Sequence, residues 1–141
     1  MPLRSLKVAD YMSRHPAVLK PSMPIEEAVA RLIDAQSIGG PVIDDLKQVV
    51  GFLSEQDCLK MMLEGTYHNE QSATVADCMS AQVLSVNMDM AIVDLAQQFG
   101  ANRPKVYPVV DYQQKLVGVI SRSQVLKAIH LHLKDAFANH A

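Results

Sequence analysis

Apolar residues follow two rhythms along this chain. Between Ile25 and Ile33 they return every three or four positions, at Ile25, Ala28, Val29, Leu32 and Ile33, with Glu26, Glu27 and Arg31 interleaved. That spacing predicts an amphipathic helix. Ser22 is its expected cap, Pro24 suits the first turn, and Glu26 and Glu27 favour the positive end of the helix dipole. Elsewhere the apolar positions close up into β-rich runs, Pro41-Val42-Ile43 and Val49-Val50-Gly51-Phe52-Leu53, on either side of the polar Asp44-Asp45-Leu46-Lys47-Gln48. These predict a β-hairpin, and their continuity implies strands buried on both faces. A helix from Glu55 to Leu63 follows.

The whole pattern then repeats 67 residues later without a gap. Val8-Ala9-Asp10-Tyr11-Met12-Ser13 returns as Val75-Ala76-Asp77-Cys78-Met79-Ser80, Pro41-Val42-Ile43-Asp44 as Pro108-Val109-Val110-Asp111, and Val50-Gly51-Phe52-Leu53-Ser54 as Val117-Gly118-Val119-Ile120-Ser121. A repeat of this length is a supersecondary unit with an apolar face to bury, so two copies are expected to pack together with pseudo-two-fold symmetry. Each repeat reads as helix, short strand, helix, strand, strand, helix. Ser5 and Thr74 are the expected caps of the two opening helices, the latter in a box with Asp77, and the counterpart of the 25–33 helix is expected to open at Asp89. The last helix runs from Ser123 to about Phe137. The polar segment 65–73 reads as a linker between repeat one, residues 5–64, and repeat two, residues 74–132, with a tail over 133–141.

Composition narrows the function classes. The chain has 141 residues and 49% hydrophobic content, enough for a core without metal or disulfides. Thirteen basic against fifteen acidic residues leave no basic footprint for nucleic acid or an anionic membrane. Cys58 and Cys78 match no paired ligand or redox spacing and are expected to be reduced and structural. The start of the chain reaches Asp10 without an apolar signal region, and no run is long enough to span a membrane, so a cytoplasmic protein is expected. His130 and His132, two apart, point to different faces of a helix and make no zinc pair. Met12, Met79, Met61 and Met62 fall at core-like positions, where methionine fills gaps. No Ser/His/Asp or Cys/His order suggests nucleophilic catalysis.

The doubled unit, the Pro-Val-h-Asp strand, the hairpin and the Gly-h-h-Ser-x-x-Asp junction from Gly51 to Asp57 together resemble a tandem pair of CBS domains, often called a Bateman module. The resemblance covers about residues 5 to 132. It implies an α/β fold of two β-α-β-β-α repeats packed into one compact disc, with two clefts that in relatives often hold AMP, ADP, ATP, S-adenosylmethionine or cyclic di-adenylate. Relatives use such pairs to regulate an enzyme, channel or transporter.

By that resemblance Ser54 contacts phosphate and Asp57 the ribose hydroxyls, while Val18 and Ile38-Gly39-Gly40-Pro41 line the base pocket. Free N–H groups at a helix start do attract phosphate. A capping box of Ser54 with Asp57 accounts for the same two residues with no ligand. Likewise Gly39-Gly40 either lets backbone approach a planar base or shapes the entry into the strand. In the second repeat Ser121, Arg122, Lys105, Val106, Tyr107, Pro108 and Ser85 hold the equivalent places. There Ser121-Arg122-Ser123-Gln124 keeps a capping box but loses the carboxylate. Arg122 either binds phosphate bidentately or is a solvated surface arginine, and Lys105 and Tyr107 would make that pocket more polar and more crowded. One good cleft and one altered cleft are expected.

The expectation is therefore a free-standing, non-catalytic sensor that needs no cofactor. It binds an adenosine-containing ligand, AMP, ADP or ATP ahead of S-adenosylmethionine, NAD or cyclic di-adenylate, and passes the ligand state to a partner protein. The alternative is a structural or interaction module with vestigial pockets. An enzyme ranks last, since no acid–base pair, nucleophile or metal site accompanies the cleft. A homodimer is expected, with the extension Leu131-His132-Leu133-Lys134-Asp135-Ala136-Phe137 packing on the second subunit.

Overall fold

The structure, a computed structural model, describes residues 2–65, 73–100 and 103–139, so most of the 65–73 linker and the end of the tail lie outside the described residues. Repeat one forms α1 (Val8–Tyr11), α2 (Ile25–Asp34), β1 (Gly39–Ile43), β2 (Val49–Ser54) and α3 (Glu55–Gly65). Repeat two forms α4 (Val75–Cys78), β3 (Val86–Asn87), α5 (Ile92–Ala96), β4 (Val106–Val110), β5 (Leu116–Ser121) and α6 (Arg122–Asn139). The hairpins are where the β-rich runs place them, and β1 and β4 are buried at every residue. Their partners β2 and β5 are only half-buried, so continuous burial holds for one strand of each hairpin. The short first strand is β3 in repeat two, parallel to β4; in repeat one it shrinks to a single parallel bridge between Leu19 and Val42.

Both hairpin turns rest on the aspartate of the Pro-Val-h-Asp motif. Asp44 Oδ1 accepts the N–H groups of Leu46 and Gln48, each at 2.9 Å, and Asp111 Oδ1 accepts that of Gln113 at 2.8 Å. Local capture of backbone donors is what makes aspartate a turn former. The equivalent residues Lys47 and Gln114 both take the left-handed conformation at φ 65°.

Two compact units form, and neither is a repeat taken alone. One unit gathers Met1–Arg14, Ser85–Gln113 and Val117–Ala141; the other gathers His15–Leu84 and Gln114–Leu116. In the first unit Leu6, Val8 and Met12 share a core with Ile92, Leu95, Tyr107, Val109 and Ile120. In the second, Val75 joins Leu19, Ala28, Leu32, Val42 and Leu53. Each repeat therefore surrenders its opening helix to the core built mainly from its twin.

That exchange corrects three of the expected caps. Ser5 does not cap α1: its hydroxyl donates to the Pro2 carbonyl, and the cap is Lys7, whose N–H donates to Asp10 Oδ2 at 3.2 Å. Ser22 does not cap α2, which begins directly after Pro24; the Ile25 N–H donates to the Ala73 carbonyl while the Val75 N–H donates to that of Met23. The counterpart α5 opens at Ile92 rather than Asp89, because the Asn87 side chain takes the Asp89 N–H in a turn and the Ile92 N–H donates to the Leu6 carbonyl. The Thr74 box forms as expected, with Asp77 Oδ2 accepting the Thr74 N–H at 2.9 Å. Met62 is exposed rather than core.

Candidate functional site

Where β2 runs into α3, the hairpin register pairs Ser54 with Gly39. The Ser54 N–H donates to Asp57 Oδ2 at 3.0 Å and the Asp57 N–H donates to Ser54 Oγ at 3.1 Å, a complete reciprocal cap. The intervening Glu55 N–H is also engaged, by the Ile38 carbonyl at 2.9 Å. Three first-turn donors are thus satisfied internally. What remains for a ligand is specific: a hydroxyl that accepts one hydrogen bond still has a hydrogen to donate, and a carboxylate with one oxygen committed still has the other. Ser54 Oγ and Asp57 Oδ1 are the two groups left in that state, on residues joined by the cap.

The remaining repeat-one residues are spread around this junction. Gly39 and Gly40 lie inside β1, not in a turn before it. A Cβ on Gly40 would stand 2.4 Å from the Ala17 carbonyl oxygen, and one on Gly39 would stand 2.5 Å from the Phe52 ring. Close packing therefore requires both glycines without reference to a base. Pro41 is fully buried. Val18 lines a hollow with His15, Pro16, Ala17, Arg31, Asp34 and Ala35, while Ile38 lines an apolar groove of about 450 Å³ between α2 and α3 that also contains Glu55 and Cys58. Val18 and Ile38 thus line different hollows, and neither of these includes Ser54 or Asp57.

The second junction repeats the cap with different chemistry. The Ser121 N–H donates to Gln124 Oε1 at 2.7 Å, the Gln124 N–H donates to Ser121 Oγ at 3.2 Å, and the Arg122 N–H donates to the Lys105 carbonyl at 2.9 Å. Arg122, Lys105 and Ser85 have exposed side chains, whereas Val106 and Pro108 are buried. Tyr107 corrects an expectation: its ring is fully buried, edge-on to Phe99 at 5.3 Å, with its hydroxyl directed to the Gln98 carbonyl, so its bulk fills the core.

The cysteines supply a feature that sequence spacing missed. Cys58 follows Asp57 on α3 and Cys78 ends α4. Burial pushes both thiols up from their ordinary value, and the Asp57 carboxylate adds to the rise at each. Two thiols twenty residues apart in the chain thus share the electrostatic neighbourhood of Asp57.

The pattern that defines the CBS domain matches residues 8–64 and again 75–131. The chain belongs to the CBS domain family. Among curated relatives, this CBS pair is 26% identical over 148 residues to the chloroplastic CBS domain-containing protein CBSX2 of Arabidopsis thaliana, covering 86% of this chain and 62% of the relative. It is 28% identical to CBSX1 of the same plant, covering 79% and 58%, and so spans about three fifths of the length of these two. It is 27% identical to the CBS domain-containing protein YhcV of Bacillus subtilis, covering 81% of this chain and 79% of the relative. Among solved structures it superposes on CBSX2 from Arabidopsis thaliana with a TM-score of 0.77 at 29% identity, over 93% of this chain and 98% of that one. A crystal structure of CBSX2 in complex with AMP aligns with a TM-score of 0.76 at 29% identity, over 92% of this chain and 98% of that one. Among the described residues of this CBS pair, no helix is long and apolar enough to cross a membrane.

Proposed function

We propose that this CBS pair is a non-catalytic regulatory sensor that binds an adenosine-containing ligand, AMP, ADP or ATP ahead of S-adenosylmethionine, NAD or cyclic di-adenylate, and transmits its presence to a partner protein. One observation carries the reading: Asp57 stands beside the Ser54 hydroxyl at a strand-to-helix junction of a chain 29% identical to a CBS pair solved with AMP. In the proposed complex Ser54 Oγ donates to phosphate and Asp57 Oδ1 accepts from the ribose, with Val18 and Ile38-Gly39-Gly40-Pro41 toward the base. At the other junction Gln124 supplies no carboxylate, so the second site, around Ser121, Arg122, Lys105, Val106, Pro108 and Ser85, binds adenosine more weakly. The working form is a cytoplasmic homodimer with Cys58 and Cys78 reduced.

A second reading, a ligand-free interaction module, is favoured by the complete caps at both junctions, which account for Ser54, Asp57, Ser121 and Gln124 without a ligand. The chain itself offers the discriminating substitution. Asp57→Gln recreates the Ser-x-x-Gln cap of the second junction, so it keeps the local fold and removes only the carboxylate. Thermal unfolding with AMP, ADP, ATP, S-adenosylmethionine, NAD and cyclic di-adenylate reads the result. A ligand at 100 times its dissociation constant stabilises wild type by about 2.7 kcal/mol. The sensor reading expects that shift in wild type and its loss in Asp57→Gln, with the ligand-free transition unchanged. No shift with any of the compounds leaves the interaction module standing.

A further inference from the structure

Across the duplication Cys58 corresponds to Val125 and Cys78 to Tyr11, each pair 67 residues apart. In the first compact unit Val125 is buried in the core and Tyr11 packs against the same cluster. In the second, Cys58 is 5% exposed within the core and Cys78 packs against its cluster. The first turn of the last helix thus meets the end of the other repeat's opening helix in both units, through apolar side chains in one and thiols in the other. The chain has only two cysteines, and both fall on this one pair of positions.

The surrounding contacts hold the thiols there. The bridge between Phe52 and Ser80, with N–H donors in both directions at 2.9 Å, seats the end of α4 on β2, the strand that runs directly into α3. Both thiols are free, and Cys78 Sγ donates to the Thr74 carbonyl at 3.4 Å. Burial raises Cys58 first, then the Asp57 carboxylate and the Cys78 sulfur; burial also leads at Cys78, followed by Asp77 and Asp57. The thiolate is the attacking species, so these thiols exchange slowly.

We propose that Cys58 and Cys78 are a redox pair whose disulfide staples α3 of repeat one to α4 of repeat two. The oxidant is a soluble disulfide. Cys78, the more exposed sulfur, attacks one sulfur of that molecule; its S–S bond breaks and one half leaves as a thiol that takes up the Cys78 proton. Cys58 then attacks the Cys78 sulfur of the mixed disulfide, the second half leaves, and it takes up the Cys58 proton. Two protein thiols are oxidised and one soluble disulfide is reduced to two thiols. The bond joins the repeats covalently on either side of segment 65–73, and excess soluble thiol reverses it.

Full-length protein incubated with oxidised glutathione tests the staple, because this reagent leaves the methionines unaltered. Remaining thiols are alkylated and the protein is digested with trypsin, which separates the two cysteines at Lys60. The expected product runs at 15.5 kDa without reductant, with peptide 48–60 linked to the peptide that carries Cys78 until reductant is added. Its melting temperature should exceed that of the reduced protein by about 5 °C, since the bond restricts the unfolded chain. Cys58→Val, which installs the residue of the twin position, should form no link and gain nothing on oxidation. Glutathione left on Cys78 without closure, a cross-link between two chains, or a link that forms only in urea would each overturn the pairing. A linked protein that melts no higher than the reduced one would show that the bond staples nothing.

Discussion

Gly40 shows how tightly single residues of this chain are specified. Any side chain there must displace the Ala17 carbonyl, which is backbone and cannot swing aside. Gly40→Ala is expected to cost about 1–3 kcal/mol in urea unfolding, the usual penalty for overpacking. Gly100, where a Cβ would meet nothing within 4 Å, is the internal control, and Gly100→Ala should fall within about 0.5 kcal/mol of wild type. The thiols make a different prediction. Burial holds Cys58 and Cys78 above the ordinary value of 9.0, so the unfolded chain ionises first as pH rises. Their contribution is intact below pH 9 and is lost as pH climbs from there toward the folded-state values. The melting temperature should therefore decline above pH 9, and Cys58→Ala/Cys78→Ala should flatten that decline; an equally steep decline in the double variant would contradict the assignment.

Elements were legible in the sequence wherever their donors are satisfied locally, and misplaced wherever they are satisfied from afar. The hairpins, the Thr74 box and the Ser54–Asp57 and Ser121–Gln124 boxes are local, and their residues point to them directly. The starts of α1, α2 and α5 were misplaced because the Val8, Ile25 and Ile92 N–H groups donate to the Met90, Ala73 and Leu6 carbonyls, partners between 48 and 86 positions away that no capping rule encodes. Tyr107 was misread for a related reason: its place in the repeat was visible, but the side to which its ring turns depends on Phe99 and the α5 end. The turn aspartates allow a test at this scale. Asp44→Ala frees the Leu46 and Gln48 donors and Asp111→Ala frees that of Gln113, so each should be destabilising by about 1–2 kcal/mol against wild type in denaturant unfolding. Equal stability of both variants and wild type would show that these turns close without them.

At the scale of the whole molecule the duplication works crosswise. Gly118 lies so close to the Ser13 carbonyl that a Cβ there would stand 2.4 Å away, and Gly51 lies equally close to Met79 Sδ. Ser13 bridges Val119, and Ser80 bridges Phe52 with N–H donors in both directions at 2.9 Å. The Met-Ser that ends each opening helix therefore seats on the Gly-h-h-Ser strand of the other repeat, and the two motifs recur at one spacing because each is the other's complement. A half-chain then lacks what its core needs: residues 15–64 without 75–80 leave Gly51 uncovered and remove Val75 from the cluster of Leu19, Val42 and Leu53. Cutting the chain within 66–72 separates the repeats covalently but leaves each compact unit built from both pieces. The cleaved protein should still run at the mass of the uncut protein on a native column and unfold in one transition. Fragments 1–69 and 70–141, made separately, should each lack a cooperative melt and regain it on mixing. A fragment that melts cooperatively by itself would show that a repeat is sufficient, and that the exchange of opening helices adds to stability without being required for folding.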